Sequence, residues 1–431
     1  MDFLKPGASV VDIIEAIAQN HREWFDAKTV ASAGVLHHEK NFTWNTYSSE
    51  VIAPFPRIES KDVDDFICRL IDECRSEGVN TGSVWNICPY EPPNLGAKLL
   101  SWGFETGWKP HWMSLDLATL PAEILLPVGL TVEVDNLGDW QADDMPYYSA
   151  SEIENQNKLS RQNPRRFWRF IARLEGKVVG QSVMSLNEGA FGVAGIYNVG
   201  VIPSLRKRGI ATALMLKLCR FAKDLGCNYA TLNSAADGFY EKLGFESLGW
   251  GCTWWLHKAQ IEAPPPTKFQ RKFLEALGEG DLSALNELWE EKPSLDSKLN
   301  QWETLLQNGH TAMANAVASC KPESAEWLIQ KGAIINVIQA WDINWKERIP
   351  AIIETNPGLI DELSSQGRIT PLHQAVLRGD IELVKFLLEY NPDLGIKDSS
   401  YNSTPLGWAN HFGHLDISEM IEVHSRRRHE A

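Results

Sequence analysis

The sequence predicts an α/β (α+β) fold with a mixed central sheet, present in two related halves, followed by an all-α repeat domain. Three observations carry this reading. Strand-like runs alternate with a strongly amphipathic helix between Gly129 and Lys258. A short segment near residue 105 is echoed near residue 246. Beyond a proline-rich stretch, a threonine–proline–leucine motif recurs at the interval of a helical repeat.

The elements can be justified in order. Trp168–Arg173 has the composition of a strand, Glu175-Gly176-Lys177 that of a turn, and Val178–Met184 that of the returning strand. Ala194–Ile202 is a third strand. A helix follows, with apolar residues at Ile210, Leu214, Leu218, Phe221 and Leu225, which fall on one helical face. Gly226 stands where a C-terminal cap belongs. Asn228–Asn233 reads as a strand, Ala235–Leu243 as a short helix broken by Gly244-Phe245, and Thr253–Leu256 as the closing strand.

The echo pairs Gly103-Phe104-Glu105-Thr106-Gly107-Trp108 with Gly244-Phe245-Glu246-Ser247-Leu248-Gly249-Trp250. In each copy a second tryptophan, Trp112 or Trp254, follows four residues after the first. This predicts a duplicated half-domain. Pro264-Pro265-Pro266 cannot continue a helix and marks a spacer. A softer break lies between Leu120 and Gly129. The expected organisation is a first half over residues 1–125, a second over 126–260, a linker over 261–267 and a repeat domain over 268–431.

In the last part, Thr370-Pro371-Leu372-His373-Gln374-Ala375 recurs one unit later as Thr404-Pro405-Leu406-Gly407-Trp408-Ala409. Gly379-Asp380-Ile381-Glu382 and Gly413-His414-Leu415-Asp416 keep the same offset. Looser copies begin at Gly280 and Thr311. The interval from Thr311 to Thr370 falls short of two full units, so a middle repeat is irregular. The motif matches the ankyrin signature, which implies a small stack with one helical pair per repeat.

Bulk composition narrows the function classes. The chain has 431 residues, too many for one ordinary core, so two or three domains are expected. Its formal net charge of -15 argues against nonspecific binding to nucleic acid or an anionic membrane, and it leans toward a cationic substrate. Seven cysteines (Cys68, Cys74, Cys88, Cys219, Cys227, Cys252, Cys320) form no C-x-x-C pair, so neither a disulfide framework nor a metal site is expected. The N-terminus lacks a signal-like apolar run, and no stretch approaches the roughly 18 apolar residues of a membrane helix. The expectation is a soluble cytoplasmic protein.

The chemistry concentrates in Asn198 to Leu214. A β-rich run ends in a basic turn, Arg206-Lys207-Arg208-Gly209, that opens directly into the amphipathic helix. Backbone N–H groups at a helix start, beside fixed positive charge, form an anion site suited to phosphates. Gly209 lets backbone approach a phosphate without a side-chain clash, and Ala211 is nearly as small. Val201-x-Pro203-x-x-Arg206-x-x-Gly209-x-Ala211 resembles the central motif of the GCN5-related N-acetyltransferase (GNAT) family. Asn233-x-x-Ala236-x-x-x-Tyr240-x-x-x-Gly244-Phe245 is similar to that family's second motif. The resemblance covers the segment from Gly129 to Lys258.

The resemblance implies helices on both faces of the mixed sheet and acetyl-CoA as cosubstrate. It implies that Arg206, Lys207, Arg208, Gly209, Ile210, Ala211 and Thr212 hold the pyrophosphate, and that free backbone groups of Val199, Gly200 and Val201 bond the pantetheine arm and polarise the thioester. Asn233 would bond the cofactor arm. Tyr240 would be the general acid for the departing thiolate, a role open to a phenol with a reference pKa of roughly 10. Many members place a glutamate four residues before the position of Val199; here Gly195 stands there, so that base is absent or relocated. Glu152, Glu154 and Glu188 are candidates on flanking segments.

Aligning the echo puts Leu99 opposite Tyr240, and no R-x-x-G-x-A turn occurs before residue 120. The first half is therefore expected to be a degenerate acetyltransferase-like domain that packs beside the active one and shapes the acceptor pocket. Such tandem forms resemble self-resistance enzymes that acetylate amine-bearing antibiotics, which points to a small cationic or peptide amine as acceptor. The alternative is a protein acetyltransferase whose ankyrin repeats recruit a protein substrate. The stack would equally serve self-association.

Overall fold

A computed structural model describes residues 2–38, 43–47, 49–87, 91–136, 144–147, 149–234, 238–291, 311–364 and 368–430. The chain forms two compact units, one of Met1–Leu95 with Glu105–Glu262, the other of Gly96–Phe104 with Ala263–Ala431.

The first unit is built on one twelve-stranded sheet. Helix α1 (Val10–Ala31) precedes strands β1 (Val35–His38), β2 (Thr43–Tyr47) and β3 (Glu50–Pro54). Helix α2 (Val63–Ser76), β4 (Thr81–Ile87), α3 (Leu95–Ser101), β5 (Glu105–Thr106) and β6 (His111–Asp116) complete the first half of the sequence; α3 belongs to the second unit. Then come β7 (Leu130–Val134), α4 (Ala150–Ser160), β8 (Phe167–Leu174), β9 (Lys177–Leu186), β10 (Ala194–Val201), α5 (Ile210–Asp224), β11 (Tyr229–Ser234), β12 (Glu246–His257) and α6 (Lys258–Glu262). The sheet order is β1-β2-β3-β4-β12-β6-β11-β10-β9-β8-β7, with β5 also on β12.

That order records a reciprocal strand exchange. β6, from the first half, runs antiparallel to β11 with Ser234 opposite His111 and Tyr229 opposite Asp116. The end of β12, from the second half, runs antiparallel to β4 with Gly251 opposite Ile87 and His257 opposite Thr81. Where they cross, Thr106 faces Trp254 at one end and Ser114 faces Glu246 at the other. The halves do more than lie side by side: each contributes a central strand to the other. The duplication is also visible in the backbone bonding. Phe104 N–H donates to Leu99 O (3.1 Å), and Phe245 N–H donates to Tyr240 O (3.1 Å).

The sheet is covered on both faces. Strand residues alternate sides, so Met113 and Leu115 of β6 join Ile196, Leu232, Ile210, Leu214 and Leu218 in the core beneath α5. Trp112 and Tyr229 instead join Ile13 and Ile17 of α1. Phe221 and Leu225 pack against the α5 core at its rim, as their spacing predicts. A buried ion pair between Arg169 and Asp135 ties β8 to the end of β7, with Arg169 Nε 2.6 Å from Asp135 Oδ2.

The closing strand is longer than its apolar run suggests, because exchange gives it partners along its whole length. The short helix expected over Ala235–Leu243 is different. Residues 235–237, with Ala236, lie outside the described residues, and the remainder makes only a 3-10 turn, Glu241–Leu243. The chain closes on itself at once, because the N–H groups of Leu243 and Phe245 both donate to Tyr240 O (3.0 and 3.1 Å).

Among its described residues the second unit is all-helical. Helix pairs Pro371–Arg378 with Ile381–Glu389 and Pro405–Phe412 with Leu415–Glu430 realise the two motif copies. In each the motif threonine caps the first helix: Thr370 Oγ1 accepts from His373 N–H and Thr404 Oγ1 from Gly407 N–H. His373 also bridges repeats, its Nδ1 2.8 Å from Thr370 Oγ1 and its Nε2 3.0 Å from Ser403 O. The irregular middle repeat starts at Asn336, which caps Val337–Asp342 in place of a threonine. Asn336 precedes Thr370 by the same interval that separates Thr370 from Thr404, so the shortfall falls between Thr311 and Asn336. Among the described residues no helix is long and apolar enough to cross a membrane.

Candidate active site

The site begins where β10 leaves its parallel neighbour. The ladder between β10 and β11 ends with Ile196 opposite Leu232, yet β10 runs on to Val201. On the other side it stays paired to β9 across a bulge, where Tyr197 faces Val183 and Gly200 faces Gln181. Asn198, inside the bulge, has a φ of 53°. Ile202 N–H donates to Val179 O (3.0 Å) on the β9 side. Alternation along the strand therefore turns the N–H groups of Val199 and Val201 toward the open β11 side.

A loop braces this edge. Gln181 Nε2 donates to Pro146 O (2.7 Å) and Tyr147 O (2.9 Å). Pro146 then lies so near the strand that a Cβ on Gly200 would stand 3.1 Å from it. Gly200 is thus a close-approach position, a reason independent of any ligand.

The strand ends in a 3-10 turn, Pro203–Leu205, and the exposed residues Arg206, Lys207 and Arg208 follow. Arg206 Nε reaches back to Val201 O at 3.4 Å, which holds the turn against the strand end. Gly209 caps α5 with a φ of 77°, a conformation that costs an L side chain roughly 1–2 kcal/mol. It supplies no side-chain acceptor, and the first turn of α5 carries no acidic residue. Ala213 N–H makes the first bond of the helix, to Gly209 O at 3.0 Å. The N–H groups of Ile210, Ala211 and Thr212 are left without an intrahelical acceptor. Together with the three exposed basic side chains they are the donor set that helix N-termini offer to anions. A pyrophosphate fits this donor set.

Asn233 sits on β11 opposite Trp112, past the point where β10 has separated. Tyr240 is 8% exposed and lies edge-on to Phe239 and Phe245, with ring centroids 4.8 and 5.8 Å away. Burial, and secondarily Tyr147, push its pKa up to about 12, so the phenol is protonated at neutral pH. Leu99, its counterpart in the first half, is a fully buried core residue.

The candidate bases are otherwise engaged or peripheral. Glu152 completes the capping box of α4 with Ser149. Glu154 pairs with Lys158 at 2.8 Å on the surface. Glu188 lies in the turn after β9. Gly195 is covered by Asn20 of α1, whose amide oxygen occupies the space a Cβ would need. The contributions of Asn20, Pro146 and Gln181 carry no local sequence signal, because all three act across long stretches of chain.

Two parts of the chain are similar to known proteins. Residues 134–245 match the model of the acetyltransferase (GNAT) family, and residues 356–407 match that of ankyrin repeats (many copies). An acetyltransferase of Pectobacterium atrosepticum is 37% identical over 106 residues, spanning 23% of this chain and 71% of that protein. Glucosamine 6-phosphate N-acetyltransferase of Trypanosoma brucei brucei is 28% identical over 138 residues, 31% of this chain and 92% of that protein. Among solved structures, a GCN5-related N-acetyltransferase from Kribbella flavida superposes with a TM-score of 0.42 at 17% identity, over 56% of this chain and 95% of that one. The chain belongs to the GNAT acetyltransferase family, whose members use acetyl-CoA as acetyl donor, and carries ankyrin repeats in its C-terminal part.

Proposed function

We propose that this protein transfers the acetyl group of acetyl-CoA to the primary amine of a small cationic or peptide molecule. One observation carries the reading: the N-terminus of α5, capped by Gly209 without a side-chain acceptor, adjoins the edge of β10 that β11 leaves. Acetyl-CoA supplies an activated thioester. Ile210, Ala211 and Thr212 N–H, with Arg206, Lys207 and Arg208, would hold its pyrophosphate. The N–H groups of Val199 and Val201 would bond the pantetheine arm and the thioester oxygen, together with the Asn233 side chain. A backbone donor aimed at a developing oxyanion contributes about 3–4 kcal/mol. Tyr240, protonated at neutral pH, would give its proton to the departing sulfur.

The acidic balance of the chain, 56 Asp and Glu against 41 Lys and Arg, supports a cationic acceptor. Amine-bearing antibiotics are one such class. A second reading has a protein as acceptor, recruited by the repeats. It is favoured by apolar side chains left exposed there, including Tyr401 at 78% and Leu415 at 67%.

A thiol-release assay with the full chain tests both readings. Acetyl-CoA is offered with polyamines, aminoglycosides, peptides and basic proteins. Turnover on at least one small amine is expected. Acetylation of proteins alone would favour the second reading, and no release above the amine-free rate with any of these acceptors would end both.

A further inference from the structure

Helix α1 of the first half holds a side chain of β10, that of Tyr197. Tyr197 immediately precedes the bulge residue Asn198 and lies two residues before Val199. Its hydroxyl donates to Asn20 Oδ1 at 2.7 Å. Its ring lies flat on Trp24, centroids 4.3 Å apart and planes 7° apart. His21 Nδ1 is 3.3 Å from the same hydroxyl. Asn20, His21 and Trp24 are buried, while Tyr197 remains partly exposed.

Asn20 is itself fixed. Its Nδ2 donates to Ser185 O (3.1 Å) and Asn187 Oδ1 (2.9 Å), so its oxygen can only face β10. That oxygen lies over Gly195, and the Tyr197 ring leans across the same glycine. A side chain at position 195 would displace both. The space is therefore organised around a phenol presented by another residue.

We propose that Tyr197 is a positioning residue on the acceptor side: its oxygen accepts a hydrogen bond from the incoming amine N–H and directs the nitrogen lone pair at the thioester carbon. This rests on the acetyl-transfer reading above. The N–C bond forms as the C–S bond breaks, the sulfur takes its proton from Tyr240, the surplus amine proton passes to solvent, and Tyr240 regains a proton from solvent. Tyr197 ends with the proton it began with, since that proton is committed to Asn20. Burial raises its pKa well above the ordinary value, which keeps the phenol neutral throughout. The N-terminal half thus reaches the reacting amine through one helix.

The test uses the full chain and hydroxylamine, a small amine that needs no specific pocket, with thiol release from acetyl-CoA as readout. Tyr197→Phe keeps the ring on Trp24, and Asn20→Ser removes the acceptor of the hydroxyl proton. Both variants are expected to lower kcat/KM for hydroxylamine at least ten-fold with KM for acetyl-CoA unchanged; Tm should hold in Tyr197→Phe and fall in Asn20→Ser, which also gives up the bonds to Ser185 O and Asn187 Oδ1. Wild-type rates in both variants would overturn the proposal while leaving acetyl transfer standing. A fall in the Tm of Tyr197→Phe with a parallel rise in KM for acetyl-CoA would assign Tyr197 a structural role and also overturn it. If the wild-type chain itself fails to accelerate thiol release, the acetyl-transfer reading fails first and this one with it.

Discussion

Trp254 stands opposite Val84 in an antiparallel ladder. The last strand of the second half is therefore a central strand of the first, and β6 returns the exchange beside β11. Neither half owns a complete sheet. Cutting the chain in the exposed segment between Ala122 and Glu123 should give two fragments that do not fold alone. Co-expressed, they should associate and bind acetyl-CoA. A cooperative thermal transition in fragment 1–122 by itself would show that the exchange is dispensable.

Tyr240→Phe removes the hydroxyl and leaves the ring against Phe239 and Phe245. A positioned general acid typically contributes 10²–10⁴-fold, so kcat should fall by about that factor. KM for acetyl-CoA should stay within about two-fold of wild type. Unchanged turnover with acetyl-CoA saturating would remove Tyr240 from the mechanism.

His21 is buried among aromatic rings, and burial, with Lys28 as a lesser cause, lowers its pKa from 6.5 to about 3. The sign follows from linkage. Below pH 6.5 the unfolded chain takes up a proton that the folded chain refuses until about pH 3, so stability falls as pH falls through that window. By pH 5 the loss is on the order of 2 kcal/mol. His21→Phe should flatten this part of the pH–stability curve in denaturant titrations. An identical acid limb in the variant would refute the assignment.

In the repeats, Thr370→Val deletes both the helix cap and a partner of His373. A lost cap of this kind costs about 1 kcal/mol, with a range of roughly 0.5–2. Amide exchange over Pro371–Arg378 should speed accordingly. Unaltered protection would mean that Pro371 and the flanking packing suffice.

How much was legible in the sequence depended on range. The α5 face could be read because Ile210, Leu214 and Leu218 follow one local period, and the basic turn because its residues are contiguous. The ankyrin copies were legible for the same reason. The paired tryptophans Trp108/Trp112 and Trp250/Trp254 announced duplication. They did not announce exchange, since a strand reads alike whichever half it joins. Gly195 was visible as a departure from the family pattern. Its explanation, Asn20, comes from α1, far earlier in the chain, and only the folded structure brings the two together. Over 238–243 the expected helix gives way to a 3-10 turn on a local detail, the back-bonding of Phe245 to Tyr240.

In the proposed reading, the turn from Val199 to Thr212 holds acetyl-CoA. Calorimetric titration of acetyl-CoA into the wild-type chain and into Gly209→Val tests it most directly. The wild type should bind one equivalent per chain. The variant should bind at least ten-fold more weakly, because valine at a φ of 77° strains the turn that opens α5, and its Cβ would stand 3.4 Å from Pro127 Cγ. Equal affinity in the two proteins, or two equivalent sites per chain, would contradict the account.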